Sequence, residues 1–155
     1  MLVERLAKQL TQRQWHLAIA ESATGGLLGH QITAVAGSSA YFWGGVIAYA
    51  NDVKMKLLGV SEESLSRWGA VSAEVASEMA KGARLSMGTE VGLSVTGIAG
   101  PTGATAQKPL GLYYIGLAVP GEAWSWRHHF TGDRHENNHR AAQMALEHLL
   151  AYLEG

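Results

Sequence analysis

The chain has 155 residues, 47% of them apolar and 16% charged, with a formal net charge of −1 and no cysteine. That composition excludes disulfides, thiolate catalysis and cysteine-ligated zinc, and the 12 basic residues are scattered without the electrostatic footprint of a nucleic-acid binder. It fits one soluble globular domain around a single core; no apolar run is long enough to span a bilayer, and MLVERLAKQL has helical spacing rather than a signal-peptide core. We therefore expect a cytoplasmic protein without a second domain, acting on a small molecule, with no nucleic-acid or membrane partner.

Leu2, Val3, Leu6, Ala7 and Leu10 mark one face of a first helix, and Leu17 to Ala20 reads as a first strand. ESATGG, Glu21 to Gly26, follows, and then a helical pattern with Leu27, Leu28, Ile32 and Val35. Ser22 thus sits where a strand turns into a helix, a corner at which α/β proteins place chemistry. The N–H groups of Thr24, Gly25 and Gly26 are expected to be free there to face an anion, although Ser22 or Thr24 could equally serve only as a helix cap.

Tyr41, Phe42 and Trp43 form an aromatic cluster before Gly44 and Gly45, and Val46 to Tyr49 reads as a second strand. Helices are expected from Asn51 or Asp52 to Leu58, from about Ser61 to Arg67, and from a Ser72 cap to about Met87. Val91 to Thr96 is a third strand that runs into the glycine- and proline-rich stretch TGIAGPTGATAQKPLG. Leu112 to Val119 and Ala123 to Phe130 form a hairpin, and an apolar stripe through Ala141, Ala145, Leu149 and Leu153 marks a last helix from about Glu136. The order predicts an α/β fold with a mixed sheet and helices on both faces.

A serine is a weak nucleophile until a base takes its proton. Lys54, in YANDVK, is the candidate base, because a lysine desolvated in a cleft loses its proton more readily; Tyr49 could relay that proton or orient the amine. A solvated helix lysine is the plainer account of the same residue. Thr96, Gly97, Ala99 and Gly100 offer a hydroxyl and backbone N–H groups suited to an oxyanion or phosphate, although the loop matches neither GxGxxG nor the P-loop. Lys108 could reach an anion or pin the loop, and Arg134, in GDR, could fork onto a phosphate or pair with Asp133. One competing motif is present: His135-Glu136-Asn137-Asn138-His139 matches HExxH, a zinc-hydrolase pattern, with His128 or His129 available as a third ligand by folding back.

Taken in order, ESATGG, AGSSAYF, YANDVKMKLLGV, GAVS, SVTGIAGPTG with KPLG, and GDR resemble the CinA C-terminal domain family over nearly the whole chain. The resemblance implies a single three-layer α/β/α domain with an amidohydrolase activity that needs no metal or other cofactor. The reaction it implies is hydrolysis of the carboxamide of nicotinamide mononucleotide, a pyridine nucleotide, to the carboxylate with release of ammonia. It puts the nucleophile on Ser22, with Tyr49 and Lys54 as its partners, and it suggests a homo-oligomer. Thr24, Gly25, Gly26 and Arg134 become candidates for substrate binding, with Thr96 and loop N–H groups for the oxyanion. Three departures stand out: Ala23 where many members have cysteine, TGATAQKP in the second glycine region, and a following arginine delayed to Arg140 by HENNH. Larger proteins of the family carry an additional N-terminal domain that finds no counterpart in this sequence. Two other readings stand beside this one: a nucleotide-binding module without turnover, and a zinc hydrolase using His135, Glu136 and His139.

Overall fold

The computed structural model describes residues 1–155. Its sheet has five strands, β1 (Leu17–Glu21), β2 (Phe42–Ile47), β3 (Val91–Gly97), β4 (Leu112–Val119) and β5 (Glu122–His129). They lie in the order β2-β1-β3-β4-β5; β1 pairs in parallel with β2 and β3, and β4 is antiparallel to both β3 and β5. Six helices, α1 (Leu2–Arg13), α2 (Leu27–Thr33), α3 (Asn51–Leu58), α4 (Glu62–Trp68), α5 (Ala73–Met87) and α6 (Arg134–Glu154), cover the sheet. The result is a single α/β domain, a three-layer sandwich with a mixed sheet, as the element order predicts.

Alternation along β1 sorts the two helical layers. Leu17 and Ile19 face the larger core, shared with Leu6 and Leu10 of α1, Leu28 and Ile32 of α2, and the Ala141 to Leu153 stripe of α6. Ala18 and Ala20 face the other side, where Val75, Met79 and Ala83 of α5 and Leu58 at the end of α3 close the smaller core. Small residues on that face let α5 lie close to the strands. At Gly116 an added Cβ would stand 2.2 Å from the Ala76 carbonyl oxygen, and at Gly92 it would stand 2.0 Å from that of Ala80. Alanine at either position would force the helix off the sheet, an overpacking change of about 1–3 kcal/mol or more.

The second strand begins earlier than expected, at Phe42, and ends at Ile47. Its register with β1 takes in the aromatic cluster: Phe42 pairs with Leu17. Gly44 and Gly45 are tolerated within this edge strand. Tyr49 consequently lies beyond the strand, in the link to α3. The helix after ESATGG is also shorter than expected, ending at Thr33.

No helix is long and apolar enough to cross a membrane.

Candidate active site

The C-terminal ends of the parallel strands β1, β2 and β3 open into a cleft of about 280 Å³, where a doubly covered sheet commonly places its ligand. Ser22 follows β1 directly, Tyr49 and Lys54 follow β2, and Thr96 and Gly97 end β3. Arg134 reaches the same cleft from the start of α6. Ala99 and Gly103, from the loop after β3, complete one wall. No aspartate or glutamate lines the cleft, so its net charge comes from Lys54 and Arg134.

Ser22 is 8% exposed, with its N–H donating to the Val95 carbonyl at 3.0 Å and its own carbonyl accepting from Gly25 at 3.1 Å. The serine is therefore held by main chain on both sides. What fixes the turn is Glu21, a buried carboxylate at the end of β1. It accepts from the Thr24 hydroxyl at 2.6 Å and from the N–H groups of Gly26, Leu28 and Gly29 at 3.2, 2.9 and 2.9 Å. An anion at the N-terminus of a helix is favoured by the helix dipole as well as by these bonds.

This arrangement corrects one expectation. The N–H groups of Gly25 and Gly26 are not free for a ligand, since the first donates to Ser22 and the second to Glu21. The Thr24 hydroxyl donates to Glu21 while its N–H finds no acceptor within the chain, and neither Thr24 nor the two glycines line the cleft. The N–H of Ala23, whose residue does line the cleft, finds no acceptor within the chain.

Lys54 is the largest polar side chain in the interior, 1% exposed on the second turn of α3. Its Nζ donates to the Tyr49 carbonyl at 3.0 Å. Burial disfavours the ammonium and pushes its pKa down to about 8. The Tyr49 side chain, by contrast, is 62% exposed, and its hydroxyl accepts from Arg134 Nη2 at 3.3 Å. Arg134 Nη1 donates to the Gly100 carbonyl at 2.7 Å, so one guanidinium spans two walls of the cleft. The Thr96 hydroxyl donates to the carbonyl of Ala70, another cleft residue, at 2.9 Å.

Lys108 lies outside the cleft. Its Nζ donates to the Trp68 carbonyl and pins the long loop to the end of α4. The HENNH segment forms the first turns of α6, where Glu136 closes a capping box with Asp133. The Glu136 N–H holds the Asp133 carboxyl below its usual range. His139 Nδ1 meets the His135 carbonyl at 2.9 Å, His129 meets the Leu110 carbonyl, and His128 pairs with His148. No three histidine, aspartate or glutamate side chains converge into a metal-ligating set.

Two residues with a bearing on the cleft carry no motif of their own in the sequence. Glu21 stood in ESATGG without a role, and a glutamate ending a buried strand is itself a signal that something must satisfy it. Asn137 lies between the HENNH histidines, four residues before Ala141 on the buried stripe.

Residues 1–153 match the family model described as the CinA C-terminal domain. A CinA-like protein of Cyanothece is 52% identical over 150 residues, which cover 96% of this chain and 36% of that protein. Competence/damage inducible protein CihA from Agrobacterium tumefaciens, a solved structure, superposes with a TM-score of 0.95 at 36% identity, covering 99% of this chain and 94% of that one. The competence damage-inducible protein A of Klebsiella pneumoniae gives 0.95 at 31% identity, covering 99% and 95%. The chain spans about a third of the length of the curated relatives it matches. It belongs to the CinA C-terminal domain family.

Proposed function

We propose that this CinA C-terminal domain is an amidohydrolase that converts the carboxamide of nicotinamide mononucleotide to a carboxylate and releases ammonia. The observation that carries the reading is the single cleft shared by Ser22, Tyr49, Lys54, Thr96 and Arg134, free of carboxylates, with the Lys54 amine brought down to about 8 by burial. A lysine with that pKa is partly neutral near physiological pH and can act as a base.

In the mechanism we infer, neutral Lys54 takes the Ser22 proton, directly or through Tyr49, as Oγ attacks the carboxamide carbon. The tetrahedral oxyanion is held by backbone N–H groups. Ala23 is the first of these, since the residue after a nucleophile at a strand-to-helix corner supplies such a donor in other hydrolases and its N–H has no acceptor here. Thr96 contributes to the same wall, with its hydroxyl turned to Ala70. Collapse breaks the C–N bond, the Lys54 proton leaves with ammonia, and water hydrolyses the acyl-serine with Lys54 again as base. Arg134 and the loop at Gly97, Ala99 and Gly100 take the phosphate and ribose. Residues 1–155 act in this reading as one catalytic domain, and no metal or other cofactor takes part.

A second reading, a nucleotide-binding module without turnover, is favoured by one observation: Lys54 donates to the Tyr49 carbonyl rather than to Ser22. Ammonia release from nicotinamide mononucleotide, measured for wild type and Ser22→Ala with a chelator present, separates the readings. Turnover that survives the chelator and vanishes in the variant supports the serine mechanism. A folded wild type that binds the nucleotide without releasing ammonia supports the binding module.

A further inference from the structure

Asn137 is 1% exposed in the first turns of α6, on the stripe that continues through Ala141, Ala145 and Leu149. Its position calls for an apolar residue, and a buried amide there must be satisfied. Nδ2 donates to the carbonyls of Ala99 and Gly132, each at 3.0 Å, and Oδ1 accepts from the Gly132 N–H at 3.0 Å. Only this amide orientation works, since the reverse would set an oxygen against two carbonyls.

Those bonds tie two segments that are remote in sequence. Ala99 lies in the loop after β3, where it lines the cleft, and Gly132 is in the turn that delivers Arg134. Two residues beyond Gly132, Arg134 donates to the carbonyl of Gly100, one residue beyond Ala99. A single buried side chain therefore fixes the distance between the loop wall and the guanidinium that spans the cleft mouth.

We infer that Asn137 is a positioning residue for anion recognition: through Ala99 and Gly132 it holds Arg134 and the loop at the separation a phosphate group requires. It touches neither Ser22 nor Lys54. The inference rests on the reading that the cleft takes a phosphorylated nucleotide.

The test compares affinities for nicotinamide mononucleotide and for nicotinamide riboside, which lacks the phosphate, by calorimetry in a Ser22→Ala background where turnover cannot interfere. Asn137→Asp keeps the shape and the acceptor for Gly132 but loses both donors; Asn137→Ser is the milder variant should the first fail to fold. Leu149→Ala is a control that loosens α6 without touching the loop. Expected is a loss of about tenfold or more in affinity for the nucleotide in the Asn137 variants, the scale of a displaced hydrogen bond to a charged group, with a smaller loss for the riboside, so that the ratio of the two affinities falls. The ratio of the two affinities should hold in Leu149→Ala, whatever its melting temperature.

An unchanged ratio in a folded Asn137 variant overturns the inference. Failure of the Ser22→Ala protein to bind either compound overturns the reading of the cleft and the inference with it. Binding by Ser22→Ala without turnover by wild type overturns the hydrolytic reading alone, and the affinity ratio still decides the role of Asn137.

Discussion

Lys54 reaches back five residues to donate to the main-chain carbonyl of Tyr49, not to its phenol, whose oxygen accepts from Arg134. The amine is thus fixed by backbone, while the tyrosine side chain stays at the cleft mouth. This splits the two roles proposed for the pair. Lys54 lies in a desolvated site, and the Tyr49 side chain is exposed beside Arg134.

Lys54→Met should separate activity from stability. The drop from the ordinary 10.5 to about 8 corresponds to at most about 3 kcal/mol spent on holding the ammonium inside. Methionine, of similar length, removes that cost, so the variant should melt at or above the wild-type temperature at pH 7. Ammonia release should fall by about 10²-fold or more with the base gone. A variant that keeps turnover sinks the role given to Lys54.

The same group sets a pH dependence. If the proposed mechanism holds, turnover at subsaturating substrate should rise as pH passes through about 8, where the amine becomes neutral in the folded protein. Stability follows the same direction. Between about 8 and 10.5 the unfolded chain binds the proton that the folded chain has lost, so the Lys54 contribution to stability rises with pH in that window and is least favourable below it. Rate and denaturant midpoints measured from pH 6.5 to 9.5 check both.

Glu21→Gln should be costly despite its near-identical shape. Four donors converge on the two carboxylate oxygens, and glutamine replaces one of those oxygens with an NH₂ group that faces donors. The expected loss is about 2–3 kcal/mol by chemical denaturation, the scale of an unsatisfied buried group. Because the same turn holds Ser22, kcat should fall alongside. A variant as stable as wild type would show that the carboxylate is not what fixes the corner.

His128 and His148 meet at Nε2 atoms 2.7 Å apart, with the His148 ring stacked on Trp126. Burial holds both below the ordinary histidine pKa, and the other imidazole adds to this for His148, while Glu147 pulls both the other way. A folded pKa below the unfolded 6.5 means that the unfolded chain takes up protons first as pH falls. The melting temperature should therefore decline on acidification below about 6.5. His148→Gln should flatten that decline, and an unchanged slope would remove the pair as its cause.

The linear order of residues carried the framework. Apolar spacing at 3.6 and at two marks the helices and strands, and the strand-to-helix corner at Ser22 is legible because Leu17–Ala20, ESATGG and the Leu28 and Ile32 face are contiguous. Lys54 was readable as a candidate base from its place after the second strand, and the folded chain brings it to the same cleft as Ser22, Tyr49, Thr96 and Arg134. Partners across long separations were not readable. That Glu21 consumes the Gly26 N–H, that Lys108 ends on Trp68, and that Asn137 joins Ala99 to Gly132 depend on where folding sets one backbone against another. A side chain's type limits the bonds it can make, but packing alone decides which donor or acceptor lies within 3 Å of it, and so which groups remain free for a substrate.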